Sequence, residues 1–335
     1  MENLENIQLA ALLHDIGKFY QRTELKHESK YGASGMKGNH SKWSADFVQQ
    51  VFENEEIENL VLNHHSPSDS TKNIADFSKI IRNSDCHSAM ERIDEKEKGE
   101  PKKDPLYSVF SRTQLGDTES DLYYVPLEKL QFDSEGFEKL KPIKQKEKVS
   151  KGWKLVPEYK KLWSEFFTEI KQFKTMDFQS WLSLMKKYTS TIPSASYVSQ
   201  PDISLYDHSK ITAALATCRY YYKIEEGKLK TTSPYSEKQS VYLMIGGDIS
   251  GIQKFIFRVS SPENARKGMS KRLRGRSLYL SLFNEGIATK IIEDLKLSSA
   301  NILFCGGGRF TIIAPNIESV KKGLEQIKRD INHSC

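Results

Sequence analysis

The run Leu12-Leu13-His14-Asp15-Ile16-Gly17-Lys18 sets two polar side chains inside an otherwise apolar helical stretch. Residues 3–22 read as one helix: Ile7, Ala10, Leu13 and Gly17 lie along one side, and Leu9, Leu12, Ile16 and Phe19 along the next. So broad a stripe is buried on most sides. A His and an Asp within it must find partners, because burying both unpaired is costly. The two sit about 100° apart on a helix and can border one cavity. Imidazole and carboxylate together make a mixed N/O site for a divalent metal. Gly17 removes a side chain where something must approach closely.

Candidate co-ligands follow at helical positions. They are His40 in His40-Ser41-Lys42-Trp43, His64 and His65 in Asn63-His64-His65-Ser66-Pro67, and Asp85 in Ile81-Arg82-Asn83-Ser84-Asp85. His40–Phe52 reads as a helix with Trp43, Phe47, Val48 and Val51 on its apolar face. Ile57–Asn63 is a short helix stopped near Pro67, and Ile74–Arg92 a longer one presenting Phe77, Ile80, Ile81 and Met90 to the core. Groups on different helices of such a bundle can converge. His14 and Asp15 are expected as primary ligands, with His64 or His65, and Asp85, completing the set. His40 either joins them or merely begins its helix. The donor set admits Mn, Co or Ni best, with Mg possible, and leaves open whether one ion or two are held. Such ions polarise a phosphoryl oxygen and lower the pKa of a coordinated water. Lys18, one turn after His14, can counter charge building on a phosphate. His27, His87 and His333 read as ordinary surface or packing residues.

The 335 residues suffice for two domains, and a net charge of +6 is compatible with an anionic partner without establishing one. Cys86, Cys218, Cys305 and Cys335 form no CxxC pair, which argues against a disulfide framework or a cysteine zinc site. The start, Met1-Glu2-Asn3-Leu4-Glu5-Asn6, lacks an apolar signal core, and no run of about 18 apolar residues offers a membrane span. A cytoplasmic protein with no membrane partner is expected.

Residues 1–93 read as the first, all-α domain. Residues 94–204 read as a linker that carries a hairpin (107–115 with 122–127), a lysine-rich mobile stretch (131–152) and connecting helices at 155–173 and 177–189. A helix over 205–222 opens with Leu205-Tyr206-Asp207-His208. After a polar boundary at 223–240, the second domain (241–335) runs β-α-α-β-β-α, a ferredoxin-like or palm order lacking its last strand. The fold class is therefore α+β and multidomain, and the chain is expected to end before that second domain is complete. Arg266, Lys267, Lys271, Arg272, Arg274 and Arg276 cluster with no acid among them, which suits a phosphate backbone or a triphosphate as well as a solvated helix face. Gly306-Gly307-Gly308 could let a ligand's phosphates approach the backbone, or simply make a tight hairpin.

The order His-Asp, His, His-His, Asp is similar to the HD metal-dependent phosphohydrolase pattern. Those proteins have a further His upstream of the His-Asp pair, and none precedes His14 here. A circular permutation would let His208 fill that place and would fold 205–222 back into the first domain. Gly246-Gly247-Asp248-Ile249-Ser250-Gly251-Ile252-Gln253-Lys254-Phe255, taken with the His14–Asp15 run and Pro201–His208, resembles the large subunit of type III CRISPR effector complexes, most closely the Csm type. The resemblance spans nearly the whole chain. It implies an HD domain that cuts single-stranded DNA with metal, followed by the first of two palms that together make cyclic oligoadenylate from ATP. It implies guide RNA, target RNA and other Csm-type subunits as partners. The family's Gly-Gly-Asp-Asp turn belongs to the second palm. This chain has Gly306-Gly307-Gly308-Arg309 instead, so no cyclic oligoadenylate synthesis is expected from it alone, and ATP only together with a second palm. Asp248 stands where a palm keeps a metal carboxylate, but without a partner carboxylate a structural role fits it better. Ser250 can approach a nucleotide.

Two other functions fit some of these residues. An HD phosphohydrolase of small nucleotides would have a closed pocket and no use for a palm. A non-catalytic scaffold for RNA and neighbouring subunits would explain the missing upstream His. The metal-dependent single-strand nuclease accounts for the most residues.

Overall fold

The structure is a computed structural model that describes residues 2–25, 29–32, 40–69, 72–90, 105–113, 121–144, 155–173, 177–195, 201–227, 239–258 and 268–334. The chain divides into two units: Met1–Ala216 with Thr231–Glu237, and Thr217–Lys230 with Lys238–Cys335. No described helix is long and apolar enough to cross a membrane.

The first unit is helical. Its opening elements are α1 (Glu2–Leu13), α2 (Ile16–Arg22), α3 (His40–Phe52), α4 (Glu55–Leu62) and α5 (Lys72–Ser88). The single helix expected over 3–22 is thus two, broken at His14–Asp15. Asp15 leaves helical geometry (φ −106°, ψ 6°), and the Lys18 amide bonds back to the Asp15 carbonyl at 2.9 Å. The break puts two consecutive side chains at one place between two helices. Asn54 caps α4, its side chain accepting from the amides of Glu56 and Ile57.

A three-stranded antiparallel sheet follows, in the order β1 (Leu106–Tyr107), β2 (Tyr123–Val125), β3 (Ile143–Lys144). Of the hairpin expected between 107–115 and 122–127, Tyr107 pairs with Tyr124, and Leu106 just before it lies opposite Val125. Its first strand is short, because the chain turns into a 3-10 helix at Val109–Arg112. Within the stretch expected to be mobile, Asp133 caps α6 (Ser134–Lys139), and Ile143 pairs with Tyr124. Residues 145–154 lie outside the described part.

Helices α7 (Val156–Ile170) and α8 (Phe178–Thr189) are part of this unit rather than a bridge out of it. Tyr159, Leu162, Phe166, Trp181, Met185 and Tyr188 are buried. Phe19 of α2 meets Trp163 edge to face at 5.0 Å, and Phe47 of α3 stacks on Phe166 at 5.8 Å. Each such pair adds about 0.5–1.5 kcal/mol beyond area burial. These contacts hold α2 and α3 at fixed angles, and both helices carry groups of the polar cluster described below. The next helix, α9 (Leu205–Glu226), crosses the division between the units at Ala216–Thr217.

The second unit is α+β. Its sheet has the antiparallel order β4 (Tyr242–Asp248), β6 (Arg309–Pro315), β5 (Ile302–Gly306), with α10 (Ile252–Phe257), α11 (Met269–Asp294) and α12 (Glu318–Ser334). This is a palm-type arrangement of the expected β-α-α-β-β-α order. Its core brings Ala288, Ile291 and Ile292 of α11 against Phe310 and Ile312 of β6 and Ile327 of α12. Strands β5 and β6 leave only Gly307 and Gly308 between them. Both have positive φ (59° and 81°), as a two-residue hairpin loop that follows strand twist requires.

Candidate metal centre

Two sets of side chains converge in the first unit. One ligand atom from each of His14, Asp15, Asp85 and His208 lies within 4.8 Å of the others, and the same holds for His40, His64 and His65. Asp15 joins the sets. Its Oδ2 lies 3.5 Å from His14 Nε2 and 3.3 Å from His208 Nε2, and its Oδ1 lies 3.3 Å from His40 Nε2. Asp85 Oδ1 completes the first set, 3.1 Å from His208 Nε2 and 3.6 Å from His14 Nε2. His40 Nε2 and His65 Nε2 are 2.8 Å apart, a distance at which only one of the two can carry a proton.

Local structure orients these rings. The ring Nδ1–H of His14 donates to the carbonyl of Ala11 (2.8 Å), and that of His64 to the carbonyl of Val61 (2.6 Å). Each acceptor is one of the carbonyls left open where a helix ends, α1 in one case and α4 in the other. A carbonyl can only accept, so Nδ1 holds the proton and Nε2 keeps its lone pair. His208 is turned by a different device. Its Nδ1 shares a hydrogen bond with Ser88 Oγ (2.9 Å), which also lies 2.9 Å from the Asp85 carbonyl. Thr212, one turn along α9, holds the same Oγ at 2.8 Å.

Burial gives these lone pairs their meaning. His14, His64 and His208 are fully buried and Asp15 is 1% exposed. His14 Nε2, His64 Nε2 and Asp15 Oδ1 have no hydrogen-bond partner among the described residues. Burial alone disfavours a charged His14, yet Asp15 and Asp85 outweigh it and raise its pKa. Burial likewise opposes the Asp15 charge, but Lys18, His14 and His208 hold its carboxyl well below the usual range. Burial pushes His40 down to about 3, and burial with neighbouring imidazoles lowers His64. His64, His65 and His40 are thus neutral near pH 7, the form that binds a cation. Orphaned imidazole nitrogens facing paired carboxylates fit a divalent metal, and this donor set is chemically consistent with divalent-metal dependence.

Lys18 Nζ donates to Asp15 Oδ2 at 2.5 Å. Gly17 explains how α3 reaches the site: a Cβ there would stand 2.0 Å from the His40 carbonyl oxygen and 2.8 Å from the Ser44 amide nitrogen. The Gly17 amide donates to Ser44 Oγ at 2.8 Å. Sequence reasoning passed over Ser88 and Ser44, since nothing local marks one serine among many.

Ser88→Ala should leave the fold intact and weaken metal binding by about 10–100-fold, the usual loss when a ligand's hydrogen-bond support is removed. Chelator competition would measure it; unchanged affinity would show that His208 needs no such support.

The candidate residues of the second unit have other surroundings. Asp248 ends β4 and pairs with Arg309 Nε at 2.8 Å, both exposed. Ser250 is exposed in the turn before α10. Gly306 and Gly307 form the hairpin. Lys271, Arg272, Arg274 and Arg276 lie on the first turns of α11. Arg276 Nη1 donates to the carbonyls of Ile256 (3.0 Å) and Arg258 (2.6 Å), which ties down the end of α10. Arg266 and Lys267 lie outside the described residues.

Comparison with known proteins agrees with both units. Residues 1–98 match the HD domain model, and residues 241–335 match the model of Csm1 subunit domain B. A relative from Methanocaldococcus jannaschii, named as a CRISPR system single-strand-specific deoxyribonuclease Cas10/Csm1 of subtype III-A, is 31% identical over 97% of this chain. The chain matches the Cas10/Csm1 large subunit of subtype III-A. It spans 43% of that relative's length. Among solved structures, Csm1 of T. onnurineus superposes with a TM-score of 0.71 at 28% identity, over 98% of this chain and 42% of that one. A Csm1-Csm4 cassette in complex with one ATP gives 0.69 at 28% identity, over 97% and 41%.

Proposed function

We propose that this Csm1-type chain carries a divalent-metal-dependent nuclease for single-stranded DNA in its helical unit, and that the palm-type unit serves as one half of an ATP site. The observation that carries the proposal is the set of six side chains around Asp15, whose two carboxylate oxygens each face a separate ligand group. His14, Asp15, Asp85 and His208 hold one ion, and His40, His64 and His65 with Asp15 hold a second; Mn, Co and Ni suit these donors best. Bound ions of this kind polarise a phosphoryl oxygen and lower the pKa of a coordinated water. The chain's own residues do the rest. The Ala11 and Val61 carbonyls and Ser88 keep the imidazoles turned inward, and the Lys18 ammonium, 2.5 Å from Asp15, stands ready to meet negative charge on the scissile phosphate.

The same reading makes the chain part of an RNA-guided effector in the cytoplasm, in contact with a Csm4-type subunit, guide RNA and target RNA. Lys271, Arg272 and Arg274 are the proposed phosphate-contacting residues on α11, and ATP would bind only with a second palm present. The scaffold alternative drew its support from the missing upstream His. His208, 3.1 Å from Asp85, supports the nuclease reading over it.

The experiment is cleavage of end-labelled single- and double-stranded DNA, and of free nucleotides, with manganese or with chelator. Cutting of single strands that needs metal is expected. Hydrolysis of nucleotides without cutting of polymer would replace this reading with the small-molecule one.

A further inference from the structure

Arg22 closes the last turn of α2 with its side chain inside the helical unit, 4% exposed. Its guanidinium stands 6.0 Å from the centre of the Tyr159 ring. Burial disfavours its charge, and Asp15 is among the groups that favour it. A buried charge is costly unless it is hydrogen-bonded. Here Nη1 donates to the Lys18 carbonyl and Nη2 to the Ala195 carbonyl, each at 3.3 Å. The first bond stays within α2. The second reaches 173 positions along the chain.

The segment it reaches leads to a ligand. Residues 192–195 lie antiparallel to 203–205. The Ser194 amide donates to the Ile203 carbonyl (3.0 Å), the Leu205 amide to the Ile192 carbonyl (2.6 Å), and Pro193 bridges to Ser204. Ser204 stands just before α9: its Oγ accepts from the Asp207 amide at 3.0 Å, and its carbonyl from the His208 amide at 3.1 Å. His208 Nε2 then returns to Asp15 Oδ2 at 3.3 Å. Asp15 immediately precedes α2, whose other end is Arg22. The path is a closed ring, from Asp15 along α2 to Arg22, across to Ala195, into the start of α9 and back through His208.

We infer that Arg22 is a positioning residue of the metal centre. By bracing α2 against the segment that leads into α9, it sets the spacing of His208 and Asp15 before any ion binds. The inference rests on that ligand group holding a divalent ion. A planar fork with five donors can hold two carbonyls on different elements, whereas an ammonium is a single point. An ion that must itself draw two ligands together binds more weakly than one that finds them in place.

The test compares Arg22→Lys, which keeps the charge, with Arg22→Met, which fills the space without one. Circular dichroism shows whether each is folded, and loss of the fold in both would make Arg22 a stability residue and overturn the proposal. Manganese affinity of the His208 group, measured by calorimetry, should fall about tenfold in either variant. In a His208→Ala background the same substitutions should weaken binding by less than about twofold, because the ligand that Arg22 positions is already gone. A general loosening of the unit would instead add its full loss to that of His208→Ala. Such additivity would overturn the inference, as would wild-type affinity in Arg22→Lys. A second readout needs no metal. In chelator, the NMR signals of the His208 ring, identified by their absence from His208→Ala, should shift in the Arg22 variants while those of His64 stay in place. If the His208 signals move in a protein that takes up no manganese, the brace stands and the metal reading of the centre fails.

Discussion

Asp15→Asn should abolish DNA cleavage and strip metal from both ligand groups at once. Its two carboxylate oxygens face both sets: Oδ1 lies 3.3 Å from His40, and Oδ2 lies 3.3–3.5 Å from His208 and His14. Asparagine keeps the size but loses the charge and one acceptor. The rate should fall by more than about 10³-fold, beyond the cost of removing one electrostatic group from an active site. Lys18 would also lose its counter-charge. Metal content by mass spectrometry, beside a circular dichroism melt, separates site loss from unfolding. Full activity with metal retained in a folded Asp15→Asn protein would sink the assignment.

Gly17→Ala should injure one ligand group and spare the other. The new methyl group would stand 2.0 Å from the His40 carbonyl oxygen, which is main chain and cannot rotate away. Relief requires α3 to shift away from α2. Overpacking of this sort costs about 1–3 kcal/mol. For a chain of this size that lowers the melting temperature by several degrees, at about 2–4 °C per kcal/mol. His40 heads α3 and moves with it. His14, Asp85 and His208 sit on or beside α1, α5 and α9. Metal bound with His40, His64 and His65 should therefore be lost, while metal at the other group persists. A thermal melt alongside metal stoichiometry would show this, and an unchanged melt with both ions present would contradict it.

Much of this was legible in the chain itself, for identifiable reasons. Helical periodicity placed α3 at His40–Phe52, and the apolar run around His14–Asp15 demanded partners for two buried polar groups. The order of elements in the second unit followed from alternating strand and helix patterns. What stayed hidden depended on distance or on main-chain atoms. His208 reaches Asp15 only because α9 returns to the first unit, 193 positions later in the chain. The break at His14–Asp15 could not be seen, since the apolar stripe continues through it. Packing of α7 and α8 into the unit rests on aromatic contacts such as Phe47 with Phe166, which no local pattern reports. The carbonyls that orient His14 and His64 carry no side-chain signature at all.

Those two carbonyl bonds have a kinetic corollary. A ring pinned by the end of its own helix is already in its final rotamer before any ion arrives. At these two rings capture then requires no side-chain search, and the slow event there becomes shedding of water by the ion itself. Association rates for different divalent ions should accordingly rank by how fast each exchanges its own hydration shell, rather than converge on one value set by protein motion.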